Sequence, residues 1–134
     1  MIGLTDLEEM LSTLEPRLGD EEYVFHTVAN GRYGEFQSLL PIASFQETEG
    51  LTLVVPRRTA QEQGIDCSSV FRCITLNVHS SLEAIGLTAA VSKTLTDHGI
   101  SANVIAAFYH DHIFVQKERA DEALAALESI NKTA

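Results

Sequence analysis

Basic residues are scarce in this chain of 134 residues: nine Lys and Arg stand against nineteen Asp and Glu, a formal net charge of −10. That balance speaks against nucleic acid, whose phosphates such a surface repels, and against docking on anionic membranes. Long apolar runs are missing as well, and no stretch approaches the roughly 20 apolar residues that a membrane span requires. The N-terminal stretch "MIGLTDLEEMLSTL" is acidic and amphipathic without a basic leader, so it is not read as a signal peptide. Cytoplasm is the expected compartment. There are two cysteines, Cys67 and Cys73, which make neither a disulfide framework nor a zinc spacing. Catalytic signatures are also absent. There is no G-x-S-x-G elbow, phosphate loop, H-E-x-x-H or dinucleotide fingerprint, and the glycines of "NGRYGEF" are wrongly spaced for a phosphate cradle.

What is present is ordinary globular composition, 45% hydrophobic and 21% charged, which argues against disorder and for one domain or two very small units sharing a core. Leu7, Met10, Leu11 and Leu14 form one apolar stripe, so Thr5 to Leu14 reads as a helix with Thr5 and Glu8 as its capping box and Pro16 beyond its end. Tyr23 to Val28 reads as a strand. Leu39 to Gln46 reads as a weaker one, placed at an edge or a bulge because Pro41 lacks the amide that a central strand donates. "LTLVV" is a buried strand ended by Pro56, and a short polar helix from Arg57 closes on Gly64. Arg57 and Arg58 suit a solvated helix start or an anionic partner.

Val70 to His79 is the longest strand pattern, with Ile74, Leu76 and Val78 on one face. A helix carrying Leu87, Val91 and Leu95 follows and stops at Gly99. "ISANVIAAF" and "HIFVQ" are strands joined at "YHDH", and Glu118 to Ile130 is the last helix. This order is a ferredoxin-like βαββ unit. The first half repeats it loosely without a good helix between its first two strands, so the chain reads as a degenerate unit over 1–68 followed by a fuller one over 69–134. The fold class is α+β, mostly antiparallel sheet with helices on one face.

The turn "HSSLEAIGL" delivers the chain to a helix start, where unpaired N–H groups carry partial positive charge and suit a carboxylate. Gly86 permits close approach of a ligand or another backbone, and Ser80, Ser81 and Thr88 offer hydroxyls. Asp111 is the nearest candidate to pair with a ligand ammonium. Structural alternatives stand beside each: Ser80 with Glu83 is also a capping box, Gly86 can serve packing alone, and Asp111 can be a turn residue. His110 and His112 share a strand face, but no third ligand stands near them in the sequence. No metal or other cofactor is expected.

The segment from Phe71 to Leu127 resembles the ACT domain, as it occurs in small two-ACT bacterial proteins and in the ACT pairs of CASTOR-type arginine sensors. The matching positions are Ile85-Gly86-Leu87, Leu95 with Gly99-Ile100-Ser101, Asp111 to Val115, and the final "ADEALAAL". Where many ACT domains carry an Asp-Arg-Pro-Gly type turn, this chain has "SSLEAIG". The resemblance implies a non-catalytic regulatory module that senses a small effector, an amino acid foremost, through Ser80, Ser81, Ile85, Gly86, Leu87, Thr88 and Asp111. It also implies a homodimer. The alternatives are a ligand-free module that pairs with a protein through its sheet edges, and a small enzyme on the same fold.

Overall fold

A computed structural model describes residues 7–78 and 85–133. In chain order the elements are α1 (Leu7–Ser12), β1 (Glu15–Val28), β2 (Ala43–Gln46), β3 (Leu51–Pro56), α2 (Arg57–Glu62), β4 (Phe71–Asn77), α3 (Leu87–Asp97), β5 (Asn103–Ala106), β6 (Asp111–Gln116) and α4 (Ala120–Thr133), with single 3-10 turns before β2 and before α4. They form two compact units. One takes the residues up to Gly19 together with those from Arg72 onward, and the other is Asp20–Phe71.

In the first unit the strand order is β1-β4-β6-β5. A βαββα run lacks the fourth strand of a ferredoxin-like sheet, and the start of β1 supplies it beside β4. The Arg72 guanidinium donates to the Gly19 carbonyl there, with Nη2 at 2.8 Å. Sequence pattern alone places no strand before Tyr23, because "EPRLGDEE" offers charge and a proline where a strand shows apolar alternation. The structure resolves this by alternation of burial: Leu18 packs on the core while Glu15, Arg17 and Gly19 face solvent.

The core of this unit lies between sheet and helices. Ile74 and Leu76 from β4, Val78 just beyond its end, and Ile113 and Val115 from β6 meet Leu87, Val91 and Leu95 of α3, and Ala123 and Leu127 of α4. Met10 and Leu14 belong to the same cluster, so α1 packs with α3 and α4. Asn131 ties the arrangement, its Nδ2 donating to the Leu14 carbonyl at 3.1 Å.

In the second unit β2 and β1 flank β3, both antiparallel to it. Leu51, Leu53 and Val55 share a face with Val24 and pack with Leu39, Ala60 and Val70. β2 is the outer strand, as Pro41 suggests, but it begins at Ala43; Gln37–Leu39 is a 3-10 turn rather than strand. The buried Thr59 hydroxyl fixes that turn, 2.6 Å from the Leu39 carbonyl and 3.0 Å from that of Pro56. The antiparallel pairing and the helix-backed sheet agree with the ferredoxin-like class read from the sequence.

Candidate functional site

Start from the end of β4. Thr75 Oγ1 and His112 Nδ1 stand 2.9 Å apart, a hydrogen bond that sets the beginning of β6 beside the end of β4. β4 leads into the approach to α3, and Asp111 is the first residue of β6, paired with Ala106. Gly86 and Asp111 stand 25 positions apart in the chain, one at the start of α3 and the other at the start of β6.

α3 begins at Leu87 with Gly86 as its N-cap at φ 97°, a left-handed conformation that disfavours any side chain. The Gly86 carbonyl accepts from the Ala90 N–H at 2.9 Å, which closes the first turn. Among the described residues, no side chain caps this end. Ser80 and Glu83, the capping-box pair of the sequence, lie outside the described residues. The N–H groups of Leu87, Thr88 and Ala89 belong to the first turn, where no intrahelical partner exists.

The other sequence candidates divide clearly. Ile85 is 85% exposed and Thr88 is exposed, while the Leu87 side chain is in the core, so Leu87 can offer only its backbone N–H. A Cβ on Gly86 would come within 3.1 Å of Leu7 Cδ2, so α1 lies against the same turn. Ser80 and Ser81 lie outside the described residues.

Asp111 is half-buried in β6 rather than part of the turn, which runs over 107–110 and closes through the Ala107 N–H to the His110 carbonyl at 3.0 Å. Burial pushes the Asp111 carboxyl above the usual range, and the nearby His112 offsets this only in part. Among the described residues no hydrogen-bond donor meets that carboxylate. His112 is held below its ordinary value, chiefly by burial and then by His110, with Asp111 opposing. His110 and His112 face each other edge to face at 6.3 Å. Among the described residues, no group of three or more His, Cys, Asp and Glu is arranged to hold a metal ion.

A pH effect follows from His112. Its folded value is depressed, so the unfolded chain binds more protons below pH about 6.5, and native stability is lost as pH falls through that region. The melting temperature is expected to drop more between pH 7.5 and 5.5 in the wild type than in His112→Gln, as read by circular dichroism. Equal drops would remove His112 as the cause.

The arginine pair at α2 is already engaged. Arg57 Nη1 meets Glu22 Oε1 at 2.7 Å and Arg58 Nε meets Glu21 Oε1 at 3.3 Å. With Asp20 these groups line an open cleft that carries more negative than positive charge, so it does not suit an anion.

Comparison with known proteins gives two family matches, both described as the ACT domain: residues 2–72 match one ACT model and residues 68–129 another. The comparison with curated proteins found no match. A solved structure from Vibrio cholerae, described as a protein of unknown function and a possible transport protein, is 54% identical with a TM-score of 0.85, over 93% of this chain and 95% of that one. An Agrobacterium tumefaciens protein superposes with a TM-score of 0.64 at 16% identity, over 88% and 89% of the two chains. The ligand-free regulatory subunit of aspartate kinase from Thermus thermophilus superposes with a TM-score of 0.60 at 10% identity, over 86% of this chain and 95% of that one. The last two likenesses concern the fold.

Proposed function

The chain belongs to the ACT domain family, matched in tandem along its length, and from that premise we propose that it is a non-catalytic regulatory module that binds a small effector, an amino acid or a similar zwitterion, at the start of α3. What supports this reading is a pair of opposite electrostatic demands, one at the start of α3 and one at the start of β6. A helix start without a side-chain cap among the described residues offers N–H groups to a carboxylate. At the start of β6, a half-buried carboxylate that lacks a donor among the described residues would gain from an ammonium. Ser80, Ser81 and Thr88 supply hydroxyls, Ile85 an exposed apolar wall, and Gly86 and Leu87 backbone. As in the family at large, a second copy of the chain would complete the assembly as a homodimer.

The test is thermal shift against the twenty amino acids. A ligand at about 100 times its Kd that binds only the folded state adds about 2.7 kcal/mol. For a chain of this size that is a rise of about 10 °C. Asp111→Asn should cut the affinity for an amino acid by roughly tenfold or more, the loss of a charge-assisted bond, yet leave a simple carboxylic acid unaffected. An ammonium partner also stabilises ionised Asp111, so affinity should rise with pH through the raised carboxyl value and lose that rise in Asp111→Asn. No shift with any amino acid would leave the alternative of a protein-interaction module, which the exposed apolar residues Leu40, Ile42 and Phe45 favour.

A further inference from the structure

The hairpin between β5 and β6 turns through residues 107–110, and its two central residues are Phe108 and Tyr109. Glycine, asparagine and aspartate are the residues that suit the middle of so tight a turn. Phe108 is 74% exposed and Tyr109 78% exposed, so neither ring serves the core. The rings pack on each other instead, edge to face with centroids 5.1 Å apart. Closing the turn does not require two aromatic side chains, and leaving both in water forgoes the burial that such rings usually supply. A pair kept there fits a surface that is covered when the protein works.

The tip stands on a fixed base. Ala106 pairs with Asp111, the Ala107 N–H donates to the His110 carbonyl at 3.0 Å, and Thr75 and His112 meet 2.9 Å apart. A tip held in this way loses little freedom on binding. Its shape also selects the kind of occupant. Small molecules are held in concave sites that enclose most of their surface, whereas rings this exposed at the end of a hairpin form a projection. A projection needs a pocket on another macromolecule, and aromatic side chains seated in apolar pockets are common anchors of protein interfaces.

Charge narrows the partner further. No lysine or arginine occurs from Thr94 to Gln116, and the chain as a whole carries −10. Asp111 stands two positions after Tyr109, and its carboxylate meets no donor among the described residues. A pocket rimmed by lysine or arginine would be drawn to such a tip and would give that carboxylate a partner. A second copy matches poorly. Its cleft beside Leu14 is lined by Glu15 and Glu128, and its cleft beside α2 carries more negative than positive charge. From these observations we infer that the Phe108–Tyr109 tip is a docking anchor that seats in an apolar pocket, rimmed by lysine or arginine, on a different protein. The inference goes beyond effector binding and holds whether or not the start of α3 takes a ligand.

The double variant Phe108→Asn/Tyr109→Gly gives the turn residues suited to it. Its melting point, read by circular dichroism, should equal or exceed that of the wild type; a fall of several degrees would make the pair structural and overturn the inference. To reach the partner, Tyr109 is replaced by the photoreactive p-benzoylphenylalanine in the full chain, irradiated in its native cells, and the adduct is identified by mass spectrometry. The captured protein is then purified and titrated with the wild type and the double variant by calorimetry. Support requires that it bind the wild type and bind the double variant about 30-fold or more weakly. Its affinity for the wild type should also fall between about 50 and 300 mM salt, as a basic rim demands. A captured protein that fails to bind the purified chain, or whose affinity ignores either the variant or the salt, overturns the inference. Adducts with a second copy alone, or irradiation that yields no protein adduct, overturn it as well.

Discussion

Gly86→Val should abolish the ligand-induced rise in melting temperature, a loss of the full rise of about 10 °C expected at about 100 times Kd. Two effects combine. The branched side chain fills the space at the helix start that a carboxylate would enter. It also forces a β-branched residue into a left-handed conformation, with its Cβ about to meet Leu7. The second effect lowers the unliganded melting point too, by about 1–3 kcal/mol of strain, so each protein must be compared with its own ligand-free midpoint. Leu7→Ala relieves the crowding and serves as the companion variant. If Gly86→Val keeps the wild-type shift, the effector binds elsewhere.

Leu95→Ala should have the largest effect on stability. Leu95 is fully buried in α3 among the strands and α4, and its truncation leaves a cavity that close-packed neighbours fill only in part. The expected cost is about 2–5 kcal/mol, a large share of the 5–15 kcal/mol that domains have in total. Chemical denaturation should show the midpoint falling with an unchanged slope. A midpoint within a few tenths of a kcal/mol of the wild type would contradict the packing described for α3.

Those two sites also show what the sequence exposes and what it hides. The spacing of Leu87, Val91 and Leu95 marks α3 because a buried helix face repeats every three to four residues, and the alternation of Ile74, Leu76 and Val78 marks β4 for the corresponding reason. Pro41 marks β2 as an edge because a missing donor has one structural meaning. The start of β1 is hidden since only one of its faces is half-covered, and charged residues occupy the other. Asp111 carries no local sign of its surroundings; its half-burial and its place beside the end of β4 arise from pairing between distant segments.

The participation of α1 in the later half of the chain was least visible, for Met10 and Leu14 look like the core of whatever follows them. They join Leu127 and Ile130 instead, and Asn131 bonds to the Leu14 carbonyl across 117 positions. On the ribosome this has a definite consequence. The Asp20–Phe71 unit holds its own cluster and can close as soon as it leaves the exit tunnel. The other unit must keep its opening segment waiting, with apolar residues uncovered, until translation has passed α4. Nascent chains halted before Leu124 should therefore protect the middle of the protein from protease and leave both Met10 and Leu95 accessible.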